Sequence, residues 1–295
     1  MAGKQGAARI MTLELPPVQN TYGIPFGLHV GIPKNAYGGA EHAADNLRVF
    51  NEGIKRFVVD ERLDTWYNWD IDGKVPMVWT VTSERSRAAI NLAAQQGDER
   101  LWFVENEPDP NGGQSKSTPE EVAYAAKEWH GKIRWAGFGQ LVNYRQTDWI
   151  DWLETYFRAG GPVPDAWHIH SYSDFPQTWI LQVRQFKSWA VDTNNERPIF
   201  ISECGGWPRN PPDEQKAIMV EIIDTLLRGE IAAAFWFSNL YMYWKSGDLL
   251  FKNNQGNYDL SMIGEFLLNE RARLRKPPHV EPPEGHTIYL PNVSG

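Results

Sequence analysis

Leu101-Trp102-Phe103-Val104-Glu105-Asn106-Glu107-Pro108-Asp109 is a short apolar run that stops at a cluster of acids. The run does not alternate polar with apolar, as a strand with one wet face would. It reads as a strand buried on both faces, the habit of a parallel sheet covered by helices. After a polar loop, Thr118-Pro119-Glu120-Glu121 opens a helix. Thr118 suits the N-cap, Pro119 the first helical position, and Glu121 stands three residues after the cap. A buried strand that ends in carboxylates and leads through a loop into a capped helix is a βα unit.

The same alternation runs through the chain. Strands are expected at 24–30, 54–60, 75–81, 101–106, 133–139, 166–170, 198–202 and 231–237. Helices are expected at 39–51, 83–96, 118–130, 147–158, 178–190, 213–228 and 260–275, while 61–73 is irregular and aromatic. Eight such units in about 250 residues favour a single-domain α/β fold, a closed (β/α)8 TIM barrel. An open dinucleotide-binding sheet would need a glycine-rich turn after its first strand, and Gly27, Gly31, Gly38 and Gly39 lack that spacing. The barrel is expected over 23–276, after an N-terminal extension (1–22) and before a proline-rich tail or linker (277–295).

Composition narrows the partners. The 295 residues carry a formal net charge of −8, which disfavours nucleic acid and anionic membranes. One cysteine, Cys204, allows no intrachain disulfide and no cysteine-based zinc cluster. The 14 Trp, 11 Tyr and 13 Phe exceed an ordinary share. Most should fill the core; some should line a groove, where aromatic faces stack on the C–H faces of sugar rings. The N-terminus holds no apolar export core, so the expected location is extracellular with the leader absent from this sequence, or else cytoplasmic. A monomer is expected, and a polysaccharide or oligosaccharide is the ligand that such aromatic faces would suit.

In such a barrel the active site lies at the C-terminal strand ends. Strand four ends in Asn106-Glu107-Pro108-Asp109, strand six in His168-Ile169-His170-Ser171-Tyr172, strand seven in Ser202-Glu203-Cys204-Gly205 and strand eight in Phe235-Trp236-Phe237. Two carboxylates facing each other across a pocket suit glycosidic-bond cleavage. One acid protonates the leaving oxygen while the other, ionised, attacks the anomeric carbon. Two carboxyl groups held close titrate apart, which supplies an acid and a base together. Side chains fill both roles, so no cofactor is expected, and no metal, because His168 and His170 lack an obvious third ligand. His170 is nearer the rim than His168. Tyr172 near Glu203 would donate to it and hold it ionised. Cys204 reads as small-residue packing.

Asn106-Glu107-Pro108 directly after an apolar strand resembles the Asn-Glu-Pro motif of clan A glycoside hydrolases. Asn106-Glu107-Pro108-Asp109 followed by Thr118-Pro119-Glu120-Glu121, with His170-Ser171-Tyr172, is similar to the glycosyl-hydrolase core group that includes fungal and bacterial endo-β-1,3-glucanases. At strand seven the chain departs: Cys204-Gly205-Gly206-Trp207 stands where that group has an aromatic residue after the glutamate. The resemblance implies that Glu107 is the general acid/base, Glu203 the nucleophile, Asn106 a contact to the sugar 2-hydroxyl and Trp236 the sugar platform. Trp207, Trp66 and Trp69 are further candidate platforms, and Arg62 and Asp60 candidate hydroxyl ligands. The implied activity is retaining, endo-acting cleavage of a β-linked polysaccharide, β-1,3-glucan foremost. Xylan, mannan, galactan or a bacterial exopolysaccharide stand as alternatives, as does a non-catalytic carbohydrate-binding barrel.

Overall fold

The computed structural model describes residues 26–29, 66–67, 75–109, 113–143, 146–238 and 246–275. Eight strands build one sheet: β1 (Phe26–His29), β2 (Trp66–Tyr67), β3 (Met77–Val78), β4 (Leu101–Val104), β5 (Arg134–Leu141), β6 (Ala166–Ser173), β7 (Ile199–Gly206) and β8 (Ala233–Phe237). Their order is β2-β1-β8-β7-β6-β5-β4-β3, and every neighbouring pair is parallel. This is the cyclic order of a (β/α)8 barrel. The expected strand at 54–60 and helix at 39–51 lie outside the described residues. The strand beside β1 is the two-residue β2, inside the stretch expected to be irregular.

Helices α1 (Glu84–Gln96), α2 (Pro119–Trp129), α3 (Asp148–Arg158), α4 (Pro176–Asp192), α5 (Pro212–Leu227) and α6 (Met262–Arg275) follow the later strands. The sequence signal at α2 forms as expected. Thr118 Oγ1 accepts from the Glu121 amide at 3.2 Å, and Glu121 Oε2 accepts from the Thr118 amide at 2.9 Å. A hairpin of β9 (Leu250–Lys252) and β10 (Tyr258–Leu260) is inserted between β8 and α6.

Two apolar layers separate across the sheet. Met77, Phe103, Ala136, Ala166, Ala233 and Phe235 form a buried cluster inside the barrel. A larger cluster fills the space between strands and helices and holds Trp135, Trp149, Trp167, Trp179 and Trp236, all fully buried. Burying an aromatic side chain removes a large apolar surface from water, so the tryptophan excess is in the main an outer-core feature.

Two bulges break the regular ladder on the site side. Ile169 pairs with Ile201 but His170 with Glu203, so β7 carries one extra residue, Ser202. Phe138 pairs with His168 but Gln140 with Ile169, so β5 carries Gly139 as its extra residue. Such insertions re-aim the side chains beyond them. Gly139 has φ +63, and a Cβ there would stand 2.8 Å from the Glu105 carbonyl oxygen and 3.0 Å from His168 Cε1. Gly139→Ala is therefore expected to cost about 2–3 kcal/mol, from a left-handed backbone and an overfilled contact. An unchanged denaturation midpoint would show that the backbone here shifts freely.

Candidate active site

The turn after β4 is shaped by backbone and pinned on two sides. Glu105 and Glu107 both lie in the left-handed region, at φ 70 and 47. Non-glycine residues hold that conformation only where the surroundings fix it, a pattern concentrated at functional sites. Here the Glu107 amide donates to the Gly139 carbonyl at 3.1 Å. The Gln114 amide donates to the Glu107 carbonyl at 2.9 Å and the Ser115 amide to the Asn106 carbonyl at 3.0 Å. Buried Asp109 accepts from the Leu141 amide at 3.0 Å, tying the end of the motif to β5.

Glu105 faces away from this chemistry. It is fully buried and accepts from the Val81 amide, which links the segment after β3 to the end of β4. Burial pushes its carboxyl up to about 7; the Ser115 and Ser117 hydroxyls and the Val81 N–H act against that rise.

Glu107, His170, Tyr172 and Glu203 converge at the mouth from β4, β6 and β7. His170 Nδ1 lies 2.7 Å from Glu107 Oε1 and 3.4 Å from Glu203 Oε2. Tyr172 donates its hydroxyl proton to Glu203 Oε2 at 2.7 Å. Gln114 Nε2 donates to Glu107 Oε2. Gln114 also accepts from Asn106 Nδ2, at 3.1 Å. One oxygen from each glutamate and one ring nitrogen of His170 all lie within 4.8 Å of one another. Among the described residues this is the one group of histidine and acidic side chains close enough to share a metal ion. Its members are already joined by hydrogen bonds, with Gln114 and Tyr172 on the glutamates.

The two histidines differ sharply. Burial works against a charged His170, but the charge of Glu203 and the hydrogen bond and charge of Glu107 outweigh it, with Asp109 adding to them, and its pKa lies above the ordinary 6.5. Burial drives His168 down to about 3; the Val104 carbonyl opposes this, and the neighbouring His170 adds to it. The His168 ring stacks on Phe103 at 4.7 Å, with Nδ1 2.9 Å from Ser202 Oγ and Nε2 3.0 Å from the Val104 oxygen. It is a neutral core histidine. A charged His170 between two carboxylates stabilises the fold fully below the unfolded value near 6.5, and that stabilisation is lost as pH rises through the higher folded value. The melting temperature of the parent should exceed that of His170→Asn by more at pH 6 than at pH 9. A constant difference across that range would show that His170 contributes no charge.

The remaining site expectations divide. Trp207 is half-buried at the rim, its ring 5.3 Å from that of Tyr172. Gly206 makes this placement possible. A Cβ there would fall 2.7 Å from Gln215 Oε1, which accepts the Gly206 amide, while Gln215 Nε2 donates to the Trp207 carbonyl. The Cys204-Gly205-Gly206-Trp207 departure is thus a shaped connection. Cys204 is buried, donates to the Phe235 carbonyl, and burial holds its thiol well above the ordinary value.

The expectation for Trp236 is corrected. It is fully buried in the outer core, its Nε1 donating to the Gly247 carbonyl at 2.8 Å, and cannot stack on a sugar. Strand alternation is the reason. Phe235 points into the barrel with Phe103, Trp236 points to the helices, and Phe237 returns to the mouth, edge-on to Tyr172 at 6.1 Å. Asp60, Arg62 and Trp69 lie outside the described residues; of Trp66 only the backbone, paired with Leu28, is described. Gln114 and Phe237 belong to the site: the sequence does not single out Gln114, and it places Phe237 at the end of strand eight without a role. Alternation could have found Phe237, whereas no pattern marks Gln114.

Two facing carboxylates at the C-terminal mouth of a (β/α)8 barrel define the class as glycoside hydrolase. Residues 52–265 match the glycosyl hydrolase catalytic core family, and the chain belongs to it. No curated protein matches the chain in sequence. Among solved structures, a GH128 subgroup II endo-β-1,3-glucanase from Sorangium cellulosum is 21% identical, covering 83% of this chain and 96% of its own, at a TM-score of 0.57. A GH128 subgroup I endo-β-1,3-glucanase from Amycolatopsis mediterranei, in complex with laminaritriose, is 20% identical over 72% and 93%, at 0.52. A GH128 subgroup VII oligosaccharide-binding protein from Cryptococcus neoformans is 13% identical over 85% and 94%, at 0.56.

Proposed function

We propose that this protein is a retaining, endo-acting hydrolase of β-1,3-glucan. One observation carries the reading: carboxyl oxygens of Glu107 and Glu203 stand within 4.8 Å of each other. Retaining enzymes hold the two carboxyl groups about 5–5.5 Å apart, whereas inverting enzymes need about 6.5–9.5 Å to seat a water between them. The Glu203 carboxylate attacks the anomeric carbon, the bond to the glycosidic oxygen breaks, and Glu107 gives that oxygen its proton. The resulting glycosyl ester on Glu203 is then opened by water. Glu107, now a carboxylate, takes the water's proton as its oxygen bonds to the anomeric carbon and Glu203 departs. Tyr172 holds the nucleophile in place, and Asn106 stands beside Glu107 for the sugar 2-hydroxyl.

β-1,3-Glucan as substrate is supported by the Sorangium and Amycolatopsis enzymes. The test is hydrolysis of β-1,3-glucan, xylan, mannan and galactan in excess chelator, with the first product examined by proton NMR. Short β-configured products from β-1,3-glucan are expected. An α-configured first product would sink the retaining mechanism, and cleavage of another polymer alone would sink the substrate. Activity that disappears with chelator would bring a metal ion into the Glu107–His170–Glu203 group. Binding without cleavage would make this a binding barrel, like the Cryptococcus protein.

A further inference from the structure

Strand β6 runs between the two strands that carry an extra residue, and one of its side chains touches both irregularities. His168 pairs with Phe138 of β5 and with Phe200 of β7, and it is the last residue of β6 that precedes both bulges. Its imidazole is fully buried, stacked on Phe103 with the ring planes 10° apart. Nδ1 lies 2.9 Å from Oγ of Ser202, the extra residue of β7. Nε2 lies 3.0 Å from the Val104 carbonyl at the end of β4. Cε1 packs against Gly139, the extra residue of β5, so closely that a Cβ there would come within 3.0 Å.

The direction of each bond can be assigned. Burial keeps the ring neutral, so one nitrogen carries a proton and the other accepts one. A carbonyl oxygen can only accept, which places the proton on Nε2, facing Val104. Nδ1 is then an acceptor, and the Ser202 hydroxyl donates to it. The Ile169 carbonyl, at 3.3 Å from the same hydroxyl, is the longer contact. The ring sits beside an apolar cluster that includes Phe103 and Phe235. A polar ring in such a place costs stability unless its nitrogens are paired, and here both are.

Each catalytic glutamate is one link away from a group that His168 touches. Glu203 directly follows Ser202 in the chain. The Glu107 amide donates to the Gly139 carbonyl at 3.1 Å. A bulged residue lacks the regular ladder bonds that hold an ordinary strand residue in place. Its position therefore depends on side-chain bonds, and at Ser202 that bond goes to His168.

From this arrangement we infer that His168 is a positioning residue for the reaction proposed above: its ring ties Ser202 of β7 to Val104 of β4, and so sets the spacing of Glu107 and Glu203. The inference rests on the retaining glycosidase reading. His168 touches no substrate; it acts through the strand positions that present the two carboxyl groups.

The experiment compares Ser202→Thr with Ser202→Val. The two new side chains have nearly the same shape, and only threonine keeps a hydroxyl for His168 Nδ1. Turnover is measured per folded molecule, with the folded fraction taken from circular dichroism. Ser202→Val is expected to lose about tenfold in kcat with KM within about twofold of the parent, because misplaced reacting groups slow chemistry more than binding. Ser202→Thr should recover most of that loss. In crystals of Ser202→Val, the carboxyl oxygens of Glu107 and Glu203 should stand beyond the 4.8 Å that encloses them in the parent. Ile222→Ala, a truncation of a fully buried residue on α5, should keep the parent kcat per folded molecule. Where the branched side chains prevent folding, Ser202→Ala should show the loss expected of Ser202→Val. Equal kcat in Ser202→Thr and Ser202→Val overturns the inference. So does parental carboxyl spacing in Ser202→Val, or an equal loss of kcat in Ile222→Ala. If the unsubstituted protein cleaves no glycan, the hydrolase reading fails, and the spacing in the crystals alone decides whether His168 sets it.

Discussion

Glu203→Ala is expected to abolish cleavage of every glycoside, with kcat falling by about 10⁴-fold or more, the scale on which a covalent nucleophile is lost. The cause is specific. Without the carboxylate no glycosyl ester forms, and the space it leaves lies on the face opposite the leaving group. Azide entering that space should restore part of the activity and give a glycosyl azide of inverted configuration. Glu107→Ala should fail differently. Substrates with good leaving groups, such as dinitrophenyl glycosides, need no proton to depart, so the first step survives. Azide should then open the glycosyl ester and give a product of retained configuration. The coupling at the anomeric proton distinguishes the two azides by NMR. The reverse assignment, inverted from Glu107→Ala and retained from Glu203→Ala, would exchange the roles of β4 and β7.

Trp236→Ala is expected to lower stability by about 3–5 kcal/mol, the range for removing a buried large aromatic side chain. The indole fills the outer core where β1, β7 and β8 run side by side, level with Leu28 and Cys204. Its loss also leaves the Gly247 carbonyl without its 2.8 Å donor. Denaturant unfolding monitored by fluorescence and by circular dichroism measures this cost. Oligosaccharide affinity of the folded fraction should stay at the parent value. A variant of parental stability that binds sugar more weakly would return Trp236 to the mouth and overturn the strand-alternation argument.

The strand ends were legible because β4 to β8 are apolar runs flanked by loop residues, and runs of that kind need helices on one face and a barrel interior on the other. Glu107, His170, Tyr172 and Glu203 could be placed at one mouth from that count. Their fine placement could not. Counting alternate residues from Phe200, which packs inside, sends Ser202 inward and Glu203 toward the helices. The extra residue at Ser202 brings both inward, Ser202 to His168 and Glu203 to Tyr172. A bulge is a property of two paired strands, so one strand's sequence cannot declare it. Trp236 failed for the opposite reason. Alternation was readable in Phe235-Trp236-Phe237, and the resemblance to clan A enzymes directed the platform role to the indole instead. Gln114 sits in a polar loop with no periodicity, so only folded geometry joins it to Asn106 and Glu107.

Cys204, directly after the nucleophile, has a consequence for watching this protein breathe. It is the chain's one thiol, it is fully buried, and its proton is held by burial and by the neighbouring Glu203 charge. An alkylating reagent reacts with the thiolate, which that environment withholds until β7 and β8 separate. The rate of labelling in native buffer is therefore a direct clock for the opening of the barrel wall that carries Glu203, reported by one atom without any engineered probe. A glycan seated across the mouth should slow that clock, so the same thiol counts ligand occupancy in protein that no longer turns over.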